Sequence, residues 1–573
     1  MDRRETEVFV GAGRAHVRRA FALVLIFALA AIVYFQHGFE GGISRDNAIY
    51  LYSGQKMAEG VPPYVSIFDH KGPLAPMIVG AGVVISRFFS TADISTVRAL
   101  FFVIGCLAVA SAYLLGGHLF RSQRAGLFAA LTFLGLFGFA RYAVSAPEAK
   151  TPMVLFEVLS LLFASQRRWF LAGLCGSLAF LVWQPMAVFV LVPLFLAATQ
   201  KERPKLRAVS RVASGAGLPV AVTAAYFYIN GAFEELVNGS ILFNARFLDR
   251  EQFLTREEFF GPFRAVFQGY STILVPVVVG AMLASAIIGL TTLIWLHLFG
   301  KPSRGSFRDI VTGGAFAPIL LSLPFPVLWS LVDFQGYPDF YVFIPYVAVG
   351  FGGFLSFLVG RAGGEEAGGI LGGLPGGVPG GMRGLLTAGL CVVLIAVAVV
   401  GSLVVVDPAK GVSSLSEEDR PVDQRDLDYQ MRAASQIQER FGKDAKVISI
   451  GAPQLLVLLH KTNPSPYAFV VRGIDCEIAV QTPGGFEGWL RQLRAYDPDV
   501  IAVGQTSGRY TPVLVDWLNS RYRMEEIGPW TLYVKDGRPR HEETAAREAA
   551  ARAAVYEARI SGEPVEGCAT IEE

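Results

Sequence analysis

From about residue 18 to residue 405 the sequence is a succession of long apolar stretches broken by short basic clusters. A helix needs roughly 20 apolar residues to cross the core of a bilayer, so most of this chain is built for lipid. The composition agrees, with 53% of the 573 residues apolar and 17% charged, where a soluble chain carries roughly a quarter charged residues. Fifty basic against 48 acidic residues leave a formal net charge of +2, which offers no overall field to nucleic acid. Cys106, Cys175 and Cys391 sit singly in apolar runs, and Cys476 and Cys568 lie in polar sequence. Without metal-site spacing, neither a zinc module nor a disulfide scaffold is expected.

The first apolar stretch, 21–35, follows Arg14, Arg18 and Arg19 and is continued by Gln36, His37, Gly38 and Phe39 rather than by a small-residue cleavage site. It reads as a retained helix with its N-terminal side in the cytoplasm. The later clusters repeat this signal: Arg121 with Arg124, Arg167 with Arg168, the run 201–211, then Lys301 to Arg308, and Arg361 and Arg383. Each neighbouring pair encloses one hairpin, whose tips at 145–151, 183–185, 230–268 and 333–339 fall on the outer side. Segment 73–89 is apolar but contains Arg87 and two prolines, and a span there would put every later basic cluster outside. It is read as a juxtamembrane or re-entrant helix on the outer face. The result is an α-helical polytopic membrane protein of about 11 spans, N-terminus inside and C-terminus outside.

Residues 1–17 form a cytoplasmic tail, 18–406 the membrane domain with a first outer loop at 37–95, and 363–384 a Gly-rich cytoplasmic linker too poor in apolar side chains to order itself. After residue 406 the composition becomes that of a soluble protein. Runs at 447–451, 467–471, 500–504 and 530–534 read as strands and 430–441, 486–496 and 513–522 as amphipathic helices. They predict an extracytoplasmic α/β domain over 407–540, followed by a charged helical or disordered tail at 541–573. No Gly-x-Gly-x-x-Gly follows the first strand, so a dinucleotide site is not expected.

The first outer loop carries the densest chemistry. It reads Gly-Gly-Ile-Ser-Arg-Asp-Asn-Ala-Ile-Tyr-Leu-Tyr at 41–52, then Gly-Val-Pro-Pro-Tyr at 60–64 and Phe-Asp-His-Lys-Gly-Pro-Leu at 68–74. A carboxylate at Asp46, this close to low dielectric, calls for a reason. One reason is capping of the helix that follows, and the other is catalysis. Asp69 and Lys71 form a second cluster, for which a plain surface ion pair is the competing reading. Glu148, Lys150, Gln184, Asn244, Arg246, Arg250, Asp333 and Asp339 also come out on the outer face. Polar groups gathered at one leaflet suit a reaction between a membrane-bound donor and an acceptor on that side.

Asp46, Tyr50, the Gly60 to Tyr64 turn, and Asp69 with Lys71 and Pro73 together resemble the first-loop motif of the GT-C superfamily of polytopic glycosyltransferases. The nearest branch is that of the protein O-mannosyltransferases and the aminoarabinose-to-lipid-A transferases (family 39-like). Asn47 stands where members often have Glu, and His70 and Gly72 interrupt their Glu-Lys-Pro run. Arg141-Tyr142 to Glu148, Phe170 to Pro185, and Phe334 to Tyr341 before Pro345 resemble later outer loops and hairpins of the family.

The resemblance implies transfer of a sugar from a polyprenyl-phosphate donor to an extracytoplasmic acceptor (protein, lipid or cell-envelope glycan) by inverting displacement in the plasma membrane. Asp46 is then the general base. Lys71 meets the leaving phosphate, with Arg246 and Arg250 as alternatives. Asp69 orients Lys71, Tyr50 and Tyr64 pack on sugar, and Glu148 and Asp339 complete the donor site. No cofactor is called for: His70 and Asp69 are the available metal ligands and no Asp-x-Asp stands in the loop. Two other classes stay open on the residues alone. In a transporter or lipid-linked-sugar flippase, inverted repeats and charged midplane helices are expected, and neither is found. In an anchored assembly factor, Asp46 would matter only as a cap.

Overall fold

The structure, a computed structural model, describes residues 3–36, 38–140, 144, 146–200, 204–247, 314–332, 337–362, 380–405, 426–471 and 473–535. Arg250, Asp333, the Gly-rich linker up to residue 379 and the tail at 541–573 lie outside them. So do Arg141, Tyr142 and most of the outer stretch 230–268 beyond Phe247.

The membrane part is helical: α1 (Arg3–Phe35), α2 (Arg45–Ala58), α3 (Leu74–Phe89), α4 (Asp93–Leu119), α5 (Gln123–Leu134), the short α6 (Phe137–Phe139), α7 (Lys150–Ser165), α8 (Trp169–Val182), α9 (Val188–Thr199), α10 (Lys205–Ile229), α11 (Phe233–Val237) and α12 (Phe243–Phe247). Helices Ala317–Ser322, Pro324–Val332, Ile344–Ala362 and Gly380–Val405 follow. Among the described residues, Val17–Phe35, Asp93–Leu119, Lys205–Ile229 and Pro338–Gly360 are long and apolar enough to cross a membrane, and five further apolar helices are shorter. Close backbone approach is built from small residues, as helix packing in lipid favours. A Cβ on Gly215 of α10, for example, would lie 2.1 Å from the Phe170 carbonyl oxygen of α8.

Segment 73–89 contains α3, which is 16 residues long. It runs beside α2 in the same direction: Pro76 shares a cavity wall with Ile49 and Ser53, a Cβ on Gly80 would meet Met57, and the Arg87 guanidinium donates to the Ala58 carbonyl at 3.1 Å. The loop between them therefore crosses back over both helices. Its outward side chains Val84, Ile85, Phe88 and Phe89 are exposed, a face suited to lipid.

Arg98 of α4, 2% exposed, donates to the carbonyls of Phe39 and, at 2.6 Å, Gly41, which ties the chain entering α2 to the bundle. Beyond the membrane part, a four-stranded sheet has the order β1-β2-β4-β3, with β1 (Val447–Ile450), β2 (Val500–Val503), β3 (Tyr522–Ile527) and β4 (Trp530–Lys535). β1 and β2 are parallel and the other pairs antiparallel.

Two of the sequence expectations for this part need correction. Segment 467–471 is extended but is no strand, because Gly451 takes the Ala468 carbonyl at a single position instead of along a ladder. β3 went unread because its pattern of charged residues on an edge, Tyr-Arg-Met-Glu-Glu-Ile, lacks a buried face. Cys476 is disulfide-bonded.

This unit is seated on the stretch between α1 and α4 that carries α2 and the crossing loop. Ile43 and Gln430 exchange two hydrogen bonds, 2.7 and 3.1 Å, and Leu427 N–H donates to the Glu40 carbonyl. Phe68 N–H donates to the Pro466 carbonyl at 2.8 Å, and Lys56 Nζ reaches Thr462 Oγ1 at 2.6 Å. Leu456, Val457, Ala468 and Phe469 belong to the same apolar core as the membrane helices.

Candidate active site

α2 starts at Arg45 because the Ser44 hydroxyl, in extended backbone, accepts from the Asn47 amide at 3.2 Å. Ser44 thus fills the cap role open to Asp46 in the sequence, and the Asp46 carboxylate is left for other work in the first turn. Its side chain is 48% accessible and accepts from Arg45 Nε at 3.1 Å. Protein nevertheless encloses it deeply enough to impose a desolvation cost, as a group lining a concave site experiences. That cost acts against the charged form, but Lys71, then Arg45, and also His70 outweigh it, holding the pKa below the usual aspartate value.

Lys71 reaches the same place from the other half of the loop. Its Nζ lies 5.8 Å from the centroid of the Tyr50 ring. Burial works against the ammonium, while Tyr50, Asp46, Asp69 and Glu148 around it raise the pKa well above that of an ordinary lysine. Glu148, 8% exposed, behaves oppositely to Asp46. Burial and the Asp46 charge raise its pKa in spite of Lys71 and Lys150. The centre therefore pairs the Asp46 carboxylate with the Lys71 ammonium, beside a Glu148 carboxyl whose pKa is shifted upward.

The peptide that carries Lys71 is fixed from four directions. Asp69 Oδ1 accepts from the His70 and Lys71 amides at 2.8 and 3.3 Å. The Tyr64 hydroxyl donates to the Lys71 carbonyl at 2.7 Å. Gln184 Nε2 and Asn244 Nδ2 both donate to the His70 carbonyl, at 3.0 and 2.7 Å. Gly72 N–H donates to the Val182 carbonyl at 3.2 Å, at the end of α8. A Cβ on Gly72 would stand 2.0 Å from the Leu181 carbonyl oxygen, so this inserted residue has to be glycine for the loop to dock.

Not every sequence-derived candidate takes the place expected of it. Tyr50 and Tyr64 are 2% and 4% exposed; the Tyr50 ring lies beside the Lys71 ammonium, and the Tyr64 hydroxyl holds the Lys71 carbonyl. Arg246 pairs with Glu477 at 3.7 Å. Asp339 is buried against Lys150, whose Nζ also lies 4.0 Å from the Trp183 ring centroid. His70 Nδ1 is 3.8 Å from Asp69 Oδ1. Among the described residues no group of three His, Cys, Asp or Glu converges as a metal site would require. A small cavity lies between α2 and the crossing loop, walled by Tyr50, Ser53, Tyr64, Asp69 and Pro76 among others. Neither Asp46 nor Lys71 is part of its wall.

The roles of Gln184, Asn244 and Gly72 were missed in the sequence. The sequence marks the first two only as polar groups on the outer face. Arg45 was missed altogether, although it immediately precedes Asp46 and bonds both Asp46 and, at 3.4 Å, Gln505.

No protein-family model matches the chain, and no curated protein matches it in sequence. Its fold is similar to solved structures. ArnT from Cupriavidus metallidurans in the apo state superimposes with a TM-score of 0.56 over 90% of this chain and 98% of that one, at 14% identity. The same protein bound to undecaprenyl phosphate gives 0.56, 90%, 98% and 13%. The chain thus has the fold of a GT-C glycosyltransferase. ArnT is an aminoarabinose transferase, and the likeness at this identity is one of fold.

Proposed function

We propose that the protein is a multi-pass membrane glycosyltransferase that moves a sugar from a polyprenyl-phosphate donor to a hydroxyl of an extracytoplasmic acceptor. The observation that carries this reading is the convergence of Asp46 and Lys71. An accessible carboxylate and a held ammonium, brought from separate halves of the first loop, lie close enough for each to favour the charged form of the other. Support comes from the GT-C fold and from the lipid phosphate held by the Cupriavidus ArnT structure.

Asp46 takes the proton of the attacking hydroxyl. Lys71 neutralises the charge growing on the departing lipid phosphate, where a preorganised cation lowers the barrier most. Direct attack opposite the phosphate inverts the anomeric carbon. The reading calls on no metal, because Lys71 supplies the positive charge. About 11 spans, with the sheet-containing unit outside, remain the topology we favour. The disulfide at Cys476 suits an oxidising compartment.

The test is sugar transfer from labelled polyprenyl-phosphate sugars in membranes carrying the protein. Asp46→Asn at normal expression should lose about 10²- to 10⁴-fold in rate, the usual size of a general-base contribution. Transfer retained in that variant would sink the assignment.

A further inference from the structure

Glu477 is fully buried in helix Ile474–Gln481 of the sheet-containing unit. Its carboxylate draws on Gln481 of the same helix and on Arg246 of α12. Arg246 of α12 faces it across the seam at 3.7 Å, with 32% of its own side chain accessible. A carboxylate buried this deeply is unfavourable for the fold that contains it unless a cation meets it. Its pKa is raised by that burial, against the pull of Gln481 and Arg246. Its own helix offers it a first-turn position and Gln481, and the cation that faces it at 3.7 Å belongs to α12 of the membrane part.

Arg246 sits two residues from Asn244, whose amide holds the His70 carbonyl at 2.7 Å, next to Lys71. Phe243 packs on Phe68 at 5.2 Å between centroids, and the Phe68 amide is bound by the Pro466 carbonyl of the same outer unit. α12 is thus gripped by the outer unit on one side and grips the Lys71 peptide on the other.

We infer that Glu477 is a positioning residue for Lys71, acting through Arg246 and Asn244, so that the outer unit is a working part of the donor site. The inference rests on the transfer reading above. It gives the C-terminal unit a function besides any contact it makes with an acceptor: it sets the angle at which the ammonium meets the lipid phosphate.

The experiment is a double-mutant cycle on the full-length protein in detergent, reading binding of undecaprenyl phosphate together with thermal unfolding. Glu477→Gln should weaken binding about tenfold, within the range of coupling between linked sites, with its melting temperature close to that of the unaltered protein. In a Lys71→Met background the same change should have no further effect. Arg246→Gln, approached from the accessible side of the pair, should reproduce the result and stands in if Glu477→Gln does not fold. Binding by Glu477→Gln and Arg246→Gln at the level of the unaltered protein, or losses that multiply in the double variant, would overturn the inference. If the unaltered protein does not bind the lipid phosphate, or Lys71→Met binds as well as it does, the transfer reading itself fails and the inference falls with it.

Discussion

The hydroxyl of Tyr64 donates a 2.7 Å hydrogen bond to the carbonyl oxygen of Lys71. Tyr64 is buried and stands at a positive φ of 67°, a conformation unusual for a residue with a large side chain. The ring packs against Phe227 of α10, so this one residue links the loop of the site to a membrane helix. Tyr64→Phe keeps the ring and removes the pin. Stability should fall by about 1 kcal/mol, the net worth of a typical hydrogen bond. Transfer should fall more than that loss of stability explains, as checked by thermal unfolding beside turnover.

Gly72→Ala sets a methyl group against a backbone oxygen, which cannot swing aside as a side chain can. The loop must lift from α8, at a cost of about 1–3 kcal/mol, and it carries Lys71 with it. The variant should unfold earlier and lose transfer. An alanine tolerated with full activity would show that the docking of the loop on Leu181 is not needed.

The pH dependence should differ between free and donor-bound protein. Lys71, together with Arg45, holds Asp46 below the usual aspartate range. A donor phosphate seated on Lys71 cancels that pull and adds negative charge, so the Asp46 pKa rises on binding and the base strengthens when it is needed. The acid limb of kcat should therefore lie at higher pH than the acid limb of kcat/KM. Coincident limbs would count against the coupling. For stability the sign is that of a depressed carboxylate: the contribution is present above the unfolded pKa, about 3.9, and is lost as pH falls through the folded value.

Lys150 and Asp339 form a buried ion pair, each side chain 5% accessible. Asp339→Asn leaves the ammonium buried without its counter-charge and should cost about 3–5 kcal/mol. Removing both charges, as Lys150→Met with Asp339→Leu, should restore much of the loss. Thermal unfolding of the two single variants and the double variant reads this directly, and a double variant worse than either single one would contradict it.

What the sequence determined by itself was whatever neighbours in the chain decide. Apolar length called for a helical membrane protein, alternation and amphipathic spacing marked β1, β2 and β4, and the first loop put Asp46 and Lys71 25 residues apart in one recognisable motif. Local pattern also suggested Asp46 as a helix cap, and only the geometry at Ser44 removed that use. Tertiary structure alone decided which way Lys71 points, because the bonds that fix its peptide come from Tyr64, Gln184 and Asn244, the last two more than 100 residues away. It alone seated the C-terminal unit on the first loop, through partners such as Ile43 and Gln430 that are 387 residues apart. The physical reason is the same in each case. A hydrogen bond or a buried charge pair depends on direction and distance in space, and single polar residues such as Gln184, Asn244 or Glu477 leave no periodic trace in the chain by which their partners could be read.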